Sequence, residues 1–437
     1  MRLVILGGGG FRVPLVHREL LRRPELGIDE LVLADPDADR LAVIARVLTD
    51  SPALRVRSTT SIAEAVRGAD FVFSAIRVGG AAGRVADERR ALNRGVIGQE
   101  TVGAGGLAYG LRTLPVALEI ARTIAETAPA AWLINFTNPA GLISEALRDV
   151  LGDRVIGICD SPAGLVRRAC RAAGADENEV LPDYLGINHL GWLRGLRRGT
   201  EELLPGLLAD RSALESFEEG RLFGADLLRA LGSIPNEYLY FYYQSVEVLA
   251  ALATGPTRGE VLLDSQSAFY SEALAEPARA AQLWEATRRS REESYLAEAR
   301  AEQPRDEQDL SGGGYEQIAL QLMHALAGGP PDRLIINVAN VNTVPQLPPE
   351  LVLELPCAVD ATGARPLPVS PPDLHQLGLI ASVRAAERAA IDAVRNRSRS
   401  SALRAFASHP LVGSERIARE ILDELLSQDR QLAELLR

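Results

Sequence analysis

Short, wholly apolar runs alternating with helical segments constrain this chain more than any other feature. Leu3-Val4-Ile5-Leu6 has no polar residue to turn toward water, as expected of a strand buried on both faces. Gly7-Gly8-Gly9-Gly10 follows, then a segment from Phe11 to Arg23 with Val13, Val16, Leu20 and Leu21 on one helical face. Pro14 is tolerated near that helix start, because first-turn N–H groups have no intrahelical partner. A strand at Glu30–Asp35, a helix near Arg40–Leu48, a strand near Leu54–Ser58, a helix near Ile62–Val66 and a strand at Phe71–Ala75 continue the pattern. This alternation predicts an α/β fold with an N-terminal, Rossmann-like, doubly wound parallel sheet and a C-terminal mixed α+β domain.

A strand, a glycine turn and a helix N-terminus make an anion site suited to a pyrophosphate. The glycines do not spell a clean G-x-G-x-x-G, so Asp35 has to carry more of the reading. An acid ending the second strand is where a dinucleotide-binding fold keeps its ribose-hydroxyl acceptor, and its charge repels a 2′-phosphate, favouring NAD over NADP. Alternatively, Asp35 caps the helix that begins near Pro36. The expected cofactor contacts are Gly7, Gly8, Gly9, Gly10, Phe11, Asp35, Ile76 and Arg77. At 437 residues the chain exceeds one ordinary core. The division expected is residues 1–195 for NAD binding and 196–437 for catalysis, substrate and oligomerisation.

Ile76–Gly80, Arg84 and Gly98–Gly106 read as a polar, glycine-dense loop region beyond a sheet strand, where doubly wound folds bind ligands. Arginine there suits an anionic or polyhydroxylated substrate. A helix over Leu111–Thr127 and a strand over Ala131–Asn135 lead to Asn138, held extended by the following proline. The run Val155–Ile158 delivers Cys159 and Asp160, and a strand near Tyr184–Ile187 delivers Asn188 and His189. Cys and His at the ends of two buried segments make half a metal site if those ends meet. Further on, Ala213–Leu231 reads as helix, and Tyr238-Leu239-Tyr240-Phe241-Tyr242-Tyr243 is dense in phenols for a chain with 5% aromatics. These tyrosines serve packing, or one of them serves as a base with its pKa brought below the usual ~10. Arg258 lies in a helix-start sequence, Leu263–Arg300 is charged and helical, and Gln303-Pro304 with Ser311–Gly314 marks a loop. A helix at Tyr315–Ala327, strands at Arg333–Ala339 and Glu350–Pro356, a hairpin-like turn at Asp360–Ala364 and helices over 373–435 complete the chain.

A formal charge of −11 argues against nucleic acid, whose binding needs an excess of cations. No run approaches the ~20 unbroken apolar residues of a membrane span. The first residues read as a strand and not as a signal peptide, so a cytoplasmic location is the default. Three cysteines cannot form a disulfide framework in a protein this size. All 47 cationic side chains are Arg, which excludes a Schiff-base or phosphate-loop lysine.

Taken in one order, the glycine turn, Ile76–Gly80, Gly98–Gly106, Asn135–Gly141, Cys159–Pro162, Asn188–Trp192 and Tyr238–Tyr243 resemble glycoside hydrolase family 4 over nearly the whole chain. That family holds NAD- and divalent-metal-dependent 6-phospho-α- and 6-phospho-β-glucosidases, α-galactosidases and α-hexuronidases. The resemblance implies Cys159 and His189 as ligands of an Mn²⁺-type ion, Asp160 as general acid, Tyr238 as catalytic base and Glu100 as the acid raising that base's strength. It implies Arg84, Asn138 and Arg258 as substrate contacts, and a homodimer or homotetramer. The implied reaction oxidises the sugar at C3 through NAD, removes the C2 proton, eliminates the aglycone and adds water, outside the two-carboxylate scheme. Departures exist: Gly10-Phe11-Arg12-Val13 stand where members often carry Ser and hydroxyl or aromatic residues, and Arg12 could partner a phosphate or carboxylate. Asp160 leans toward the α-acting branch and Asn337–Pro356 toward the β-acting one, so the anomer stays open. The expected substrate is a 6-phospho-glucoside. The alternatives are an α-glycosidase or α-hexuronidase on unphosphorylated sugars, or a malate- or lactate-dehydrogenase-like oxidoreductase.

Overall fold

The apolar runs assemble into one 13-stranded sheet. The computed structural model describes residues 1–293 and 314–437, so the loop expected at Gln303-Pro304 and most of Ser311–Gly314 lies outside the described residues. The first six strands are β1 (Arg2–Leu6), β2 (Glu30–Ala34), β3 (Arg55–Thr59), β4 (Phe71–Ser74), β5 (Trp132–Asn135) and β6 (Val155–Gly157). They pair in parallel in the order β3-β2-β1-β4-β5-β6, the doubly wound arrangement whose direction reverses between β1 and β4. Their crossover helices are α1 (Val13–Arg22), α2 (Ala38–Val47), α3 (Ile62–Val66), α4 (Gly80–Leu92), α5 (Gly103–Thr127) and α6 (Ala140–Leu151), with α7 (Ser161–Ala172) following β6.

Beyond these lie β7 (Val180–Ile187), β8 (Leu190–Arg198), β9 (Glu201–Glu202), β10 (Ile234–Pro235), β11 (Asp332–Ala339), β12 (Val352–Asp360) and β13 (Gly363–Pro366). They extend the sheet antiparallel through β11 against β6 and β12 against β7. Each of those two joints rests on a single residue pair, Asn337 with Gly157 and Glu354 with Gly186. Successive residues of a strand face opposite sides, and two cores result. Leu3, Ile5, Leu31 and Phe73 enter one with α1, α2 and α7; Val4, Leu6, Val32 and Val72 enter the other with α5, α6 and the helices from 389 onward. No helix among the described residues is long and apolar enough to cross a membrane.

Three local expectations need correction. Arg84 lies on helix α4, not in a loop; the buried residues of that helix include Arg84, Asp87, Glu88 and Arg90, so its inner face is ionic and shows no apolar period. Helix α5 starts at Gly103, eight residues before the apolar pattern becomes legible. Its opening turns are glycine-rich because a Cβ at Gly105 would lie 2.0 Å from the Gln99 carbonyl oxygen. Ala213–Leu231 is broken into shorter helices, with Gly224 at φ +75° between Glu218–Phe223 and Ala225–Leu231. The segment after His189 is a strand, β8, which closes a hairpin on β7 with Asn188-His189 as its turn.

Candidate active site

The glycine loop, the ends of β4, β5 and β6, the β7–β8 turn and the Tyr238 segment line a cleft of ≈ 990 Å³. At its floor, Gly7 adopts φ +82°, and a Cβ there would meet the Ala75 carbonyl oxygen at 2.5 Å. Only glycine lets the chain leave β1 so close to the end of β4, at the point where strand order reverses. Gly9 N–H donates to Asp35 Oδ2 at 3.1 Å, while the cap of α2 is Asp37, which accepts from Arg40 N–H at 2.9 Å. Asp35 lines the cleft and bridges the glycine loop to the entry of α2, its Oδ1 accepting from Asp37 N–H at 3.0 Å, while the helix cap itself is Asp37. Gly7, Gly10, Phe11, Ile76 and Arg77 also line the cleft; Gly8 and Gly9 lie in the loop behind it. Ile76 is held from two sides, its N–H donating to Thr137 Oγ1 (3.1 Å) and its carbonyl accepting from Tyr109 OH (3.0 Å).

Cys159 and His189 both face the cleft. His189 holds φ +63°, its Nδ1 lies 2.7 Å from Thr101 Oγ1, and its ring stacks on Tyr238 at 3.7 Å and 11°. Burial pushes the imidazole down to about 3, against the charge of Glu100, so it is neutral near pH 7. With Nδ1 engaged, Nε2 is the atom left to bind a metal, the usual arrangement for a ligating histidine. The Cys159 thiol is pushed well above its ordinary value by burial, then by Glu354 and Asp160. A bound cation reverses that preference by stabilising the thiolate. No group of three or more His, Cys, Asp or Glu suited to a metal occurs among the described residues. A thiolate and an imidazole are donors suited to a metal ion, and two of them would leave its other positions open to further ligands.

Asp160 precedes α7 without spending its side chain on a cap, and a Cβ on Gly314 would lie 2.9 Å from its Oδ2. Next to it, Ser161 Oγ donates to Glu237 Oε1 at 2.6 Å, tying the Cys159–Ser161 turn to the Tyr238 segment. Burial, with repulsion from Glu219, lifts Glu237 to about 7. Glu100 behaves oppositely: burial would raise it, but Arg77 and Arg84 overcome that and hold it at about 2. Arg84 donates to Glu100 at 2.5 Å and to Glu88 at 2.6 Å, and Arg77 also pairs with Glu100. The second oxygen of Glu88 accepts from Gly259 N–H at 2.9 Å, which docks the start of the helix Arg258–Ala275 on α4. There Thr257 and Glu260 form a capping box, and Arg258 Nη2 donates to the Arg291 carbonyl at 2.8 Å.

Asn138 lines the cleft at the turn into α6, and Arg84, Arg258, Arg12 and Arg291 line it elsewhere. Arg12 lies over the rings of Tyr315 (5.1 Å) and Phe136 (5.8 Å). Arg291 is lowered to about 9 by burial and by the charges of Arg12, Arg258 and Arg77, against the pull of Glu292. All the residues singled out as catalytic, substrate-binding or metal-binding thus reach one cleft. Sequence reasoning missed Thr101, Glu88 and Arg291. Thr101 stood inside the glycine-dense segment without a spacing to mark it, and Arg291 is one of several arginines in a charged helix.

The chain matches two family models, one described as family 4 glycosyl hydrolase over residues 2–174 and one as the family 4 glycosyl hydrolase C-terminal domain over residues 184–412. It is 30% identical to a probable 6-phospho-β-glucosidase of Bacillus subtilis, over 98% of this chain and 96% of that protein. The 6-phospho-β-glucosidase of Thermotoga maritima, solved with manganese, NAD⁺ and glucose 6-phosphate, superposes with a TM-score of 0.83 at 28% identity, covering 99% of each chain. A 6-phospho-α-glucosidase from gut microorganisms, solved with NAD and Mn²⁺, gives 0.82 at 27% identity, covering 99% of this chain and 98% of the other.

Proposed function

Because the chain belongs to family 4 of the glycosyl hydrolases, we propose that it is a 6-phospho-glucosidase that works with NAD and a divalent metal of the Mn²⁺ type. The observation that carries this reading is the meeting of glycine loop, Cys159, His189, Asp160, Tyr238 and clustered arginines in one cleft. Residues 1–195 hold the cofactor, and residues 196–437 complete the substrate site and the contacts of a dimer or tetramer acting in the cytoplasm.

Gly7, Gly10 and Phe11 receive the pyrophosphate, with Gly8 and Gly9 completing the loop behind them, Asp35 the adenosine ribose, and Ile76 and Arg77 the nicotinamide side. When bound, NAD supplies reversible oxidation at the sugar's C3, and the metal held by Cys159 and His189 supplies Lewis-acid stabilisation of negative charge on neighbouring oxygens. Arg84, Asn138 and Arg258 grip the sugar and its anionic group, with Arg12 and Arg291 adding positive charge. Tyr238 takes the C2 proton on its phenol oxygen, held against the His189 ring by stacking. Glu100 is the acid assigned to tune that base, and its ion pairs set Arg77 and Arg84 in place. Asp160 protonates the departing glycosidic oxygen, and water then adds at C1.

The test is a panel of aryl α- and β-glucosides, with and without 6-phosphate, assayed with NAD⁺, Mn²⁺ and a reductant. Aryl release confined to the phosphorylated members supports the reading and identifies the anomer. Equal turnover of unphosphorylated glycosides overturns the phosphate requirement. Full activity in Cys159→Ser without added metal overturns the metal site.

A further inference from the structure

Three aromatic side chains from the second half of the protein reach back to the glycine loop, each donating to a different backbone carbonyl. Tyr270 OH donates to Gly9 O at 2.6 Å, Trp284 Nε1 to Phe11 O at 2.7 Å, and Tyr315 OH to Arg12 O at 2.8 Å. They come from three separate helices, Arg258–Ala275, Ala280–Glu293 and Tyr315–Leu326. Arg40 braces the first of them, donating from Nη2 to Tyr270 OH at 3.1 Å with its guanidinium 4.3 Å from the ring centroid. Trp284 is fully buried and packs against Phe11 at 5.7 Å.

We infer that Tyr270, Trp284 and Tyr315 are positioning residues that clamp the cofactor loop, fixing its peptide planes before NAD arrives. The inference rests on the reading that this loop holds NAD. A trans peptide is planar, so a carbonyl drawn toward these donors turns the N–H of the next residue the opposite way. Capture of Phe11 O by Trp284 therefore sets the direction of the Arg12 N–H at the entry to α1, where Gly10, Phe11 and Arg12 line the cleft. A carbonyl occupied by a donor also presents less negative charge to a pyrophosphate. A loop already ordered loses less conformational freedom on binding, so more of the contact energy appears as affinity. The same bonds make NAD binding depend on how the helices Arg258–Ala275, Ala280–Glu293 and Tyr315–Leu326 are seated on the nucleotide half.

Calorimetric titration of the full-length protein with NAD⁺ tests the clamp, using Tyr270→Phe and Tyr315→Phe, each of which removes one hydroxyl and keeps the ring. Tyr243→Phe serves as the control, since its hydroxyl bonds to Trp192 and His375 away from the loop. The loss of one clamp bond is expected to raise the Kd for NAD⁺ by about tenfold. The control is expected to leave it unchanged, and Tyr270→Phe is expected to leave the KM for glycoside at saturating NAD⁺ within a factor of two. A lowered melting temperature in the NAD-free protein with an unchanged Kd for NAD⁺ reduces the three side chains to structural support and overturns the clamp. Wild-type protein that fails to bind NAD⁺ overturns the cofactor reading and the clamp with it. Wild-type binding with equal affinity in both clamp variants overturns the clamp alone.

Discussion

Tyr238 shows how a residue's neighbours define its role. Its ring lies flat on His189, so one stacking contact joins the proposed base to a proposed metal ligand. Tyr238→Phe keeps that stack and removes only the oxygen that accepts the C2 proton. We expect kcat to fall by about 10²-fold or more, the usual range for a lost general base, with little change in the Kd for NAD⁺. Exchange of the C2 proton with solvent deuterium, followed by NMR, is expected to disappear; exchange at the wild-type rate assigns the base elsewhere. Tyr238 was legible because four phenols in six residues are unusual, yet nothing in that run singled it out from Tyr240, Tyr242 or Tyr243. Placement makes the difference: Tyr240 is packed into the core, Tyr242 and Tyr243 are half-buried elsewhere, and Tyr238 lines the cleft.

Turns and helix starts place the site at the scale of elements. His189 occupies the left-handed region in a two-residue hairpin turn, a conformation Asn tolerates and β-branched residues resist. His189→Asn is expected to melt within a few degrees of wild type while losing Mn²⁺ affinity, measured by the EPR signal of the free ion. His189→Val is expected to cost about 1–2 kcal/mol more in unfolding free energy, because the strain enters the backbone. Gly105→Ala tests the start of α5. Its Cβ would press on the Gln99 carbonyl at 2.0 Å, displacing the turn in which Gln99 Oε1 accepts from Thr101 N–H at 2.5 Å. We expect about 2 kcal/mol or more of lost stability in urea melts, together with weaker metal binding, since Thr101 holds His189. Thermal and catalytic parity with wild type counts against that coupling.

Across the whole molecule, the sheet depends on two narrow joints; Glu354 forms one of them with Gly186, and its neighbour across the β11–β12 ladder, Asn337, forms the other. Glu354 pairs in register with Gly186 of β7 and Asn337 of β11, accepts from Tyr184 OH (3.0 Å) and Asn337 Nδ2 (3.1 Å), and is fully buried. Burial pushes it up to about 8 against the two donors, and Glu237 and Asp160 add repulsion. A carboxyl raised above its unfolded value contributes stability that is complete below about pH 4.5 and lost as pH rises through about 8. Glu354→Gln, in chelator-treated protein, is expected to match wild type in melting temperature near pH 4.5 and to exceed it increasingly up to pH 8. A difference independent of pH removes the buried carboxyl as its source.

Local patterns in the chain determine the parallel half of the sheet: apolar runs, glycine turn and Asp35 follow from period and position, and the order β3-β2-β1-β4-β5-β6 obeys the same rules. Cys159, Asp160 and His189 were visible because such groups are out of place at the ends of buried strands. Tertiary structure alone decided that α4 is a helix, since its buried face is made of ion pairs that mimic a solvated surface in sequence. It alone decided that Arg84 and Arg77 share Glu100, that Thr101 orients His189, and that three distant aromatic rings hold the glycine loop. The physical reason is range. Period and propensity act over a few residues, whereas these bonds join groups as many as 303 positions apart, whose partners exist only once the chain has closed around them.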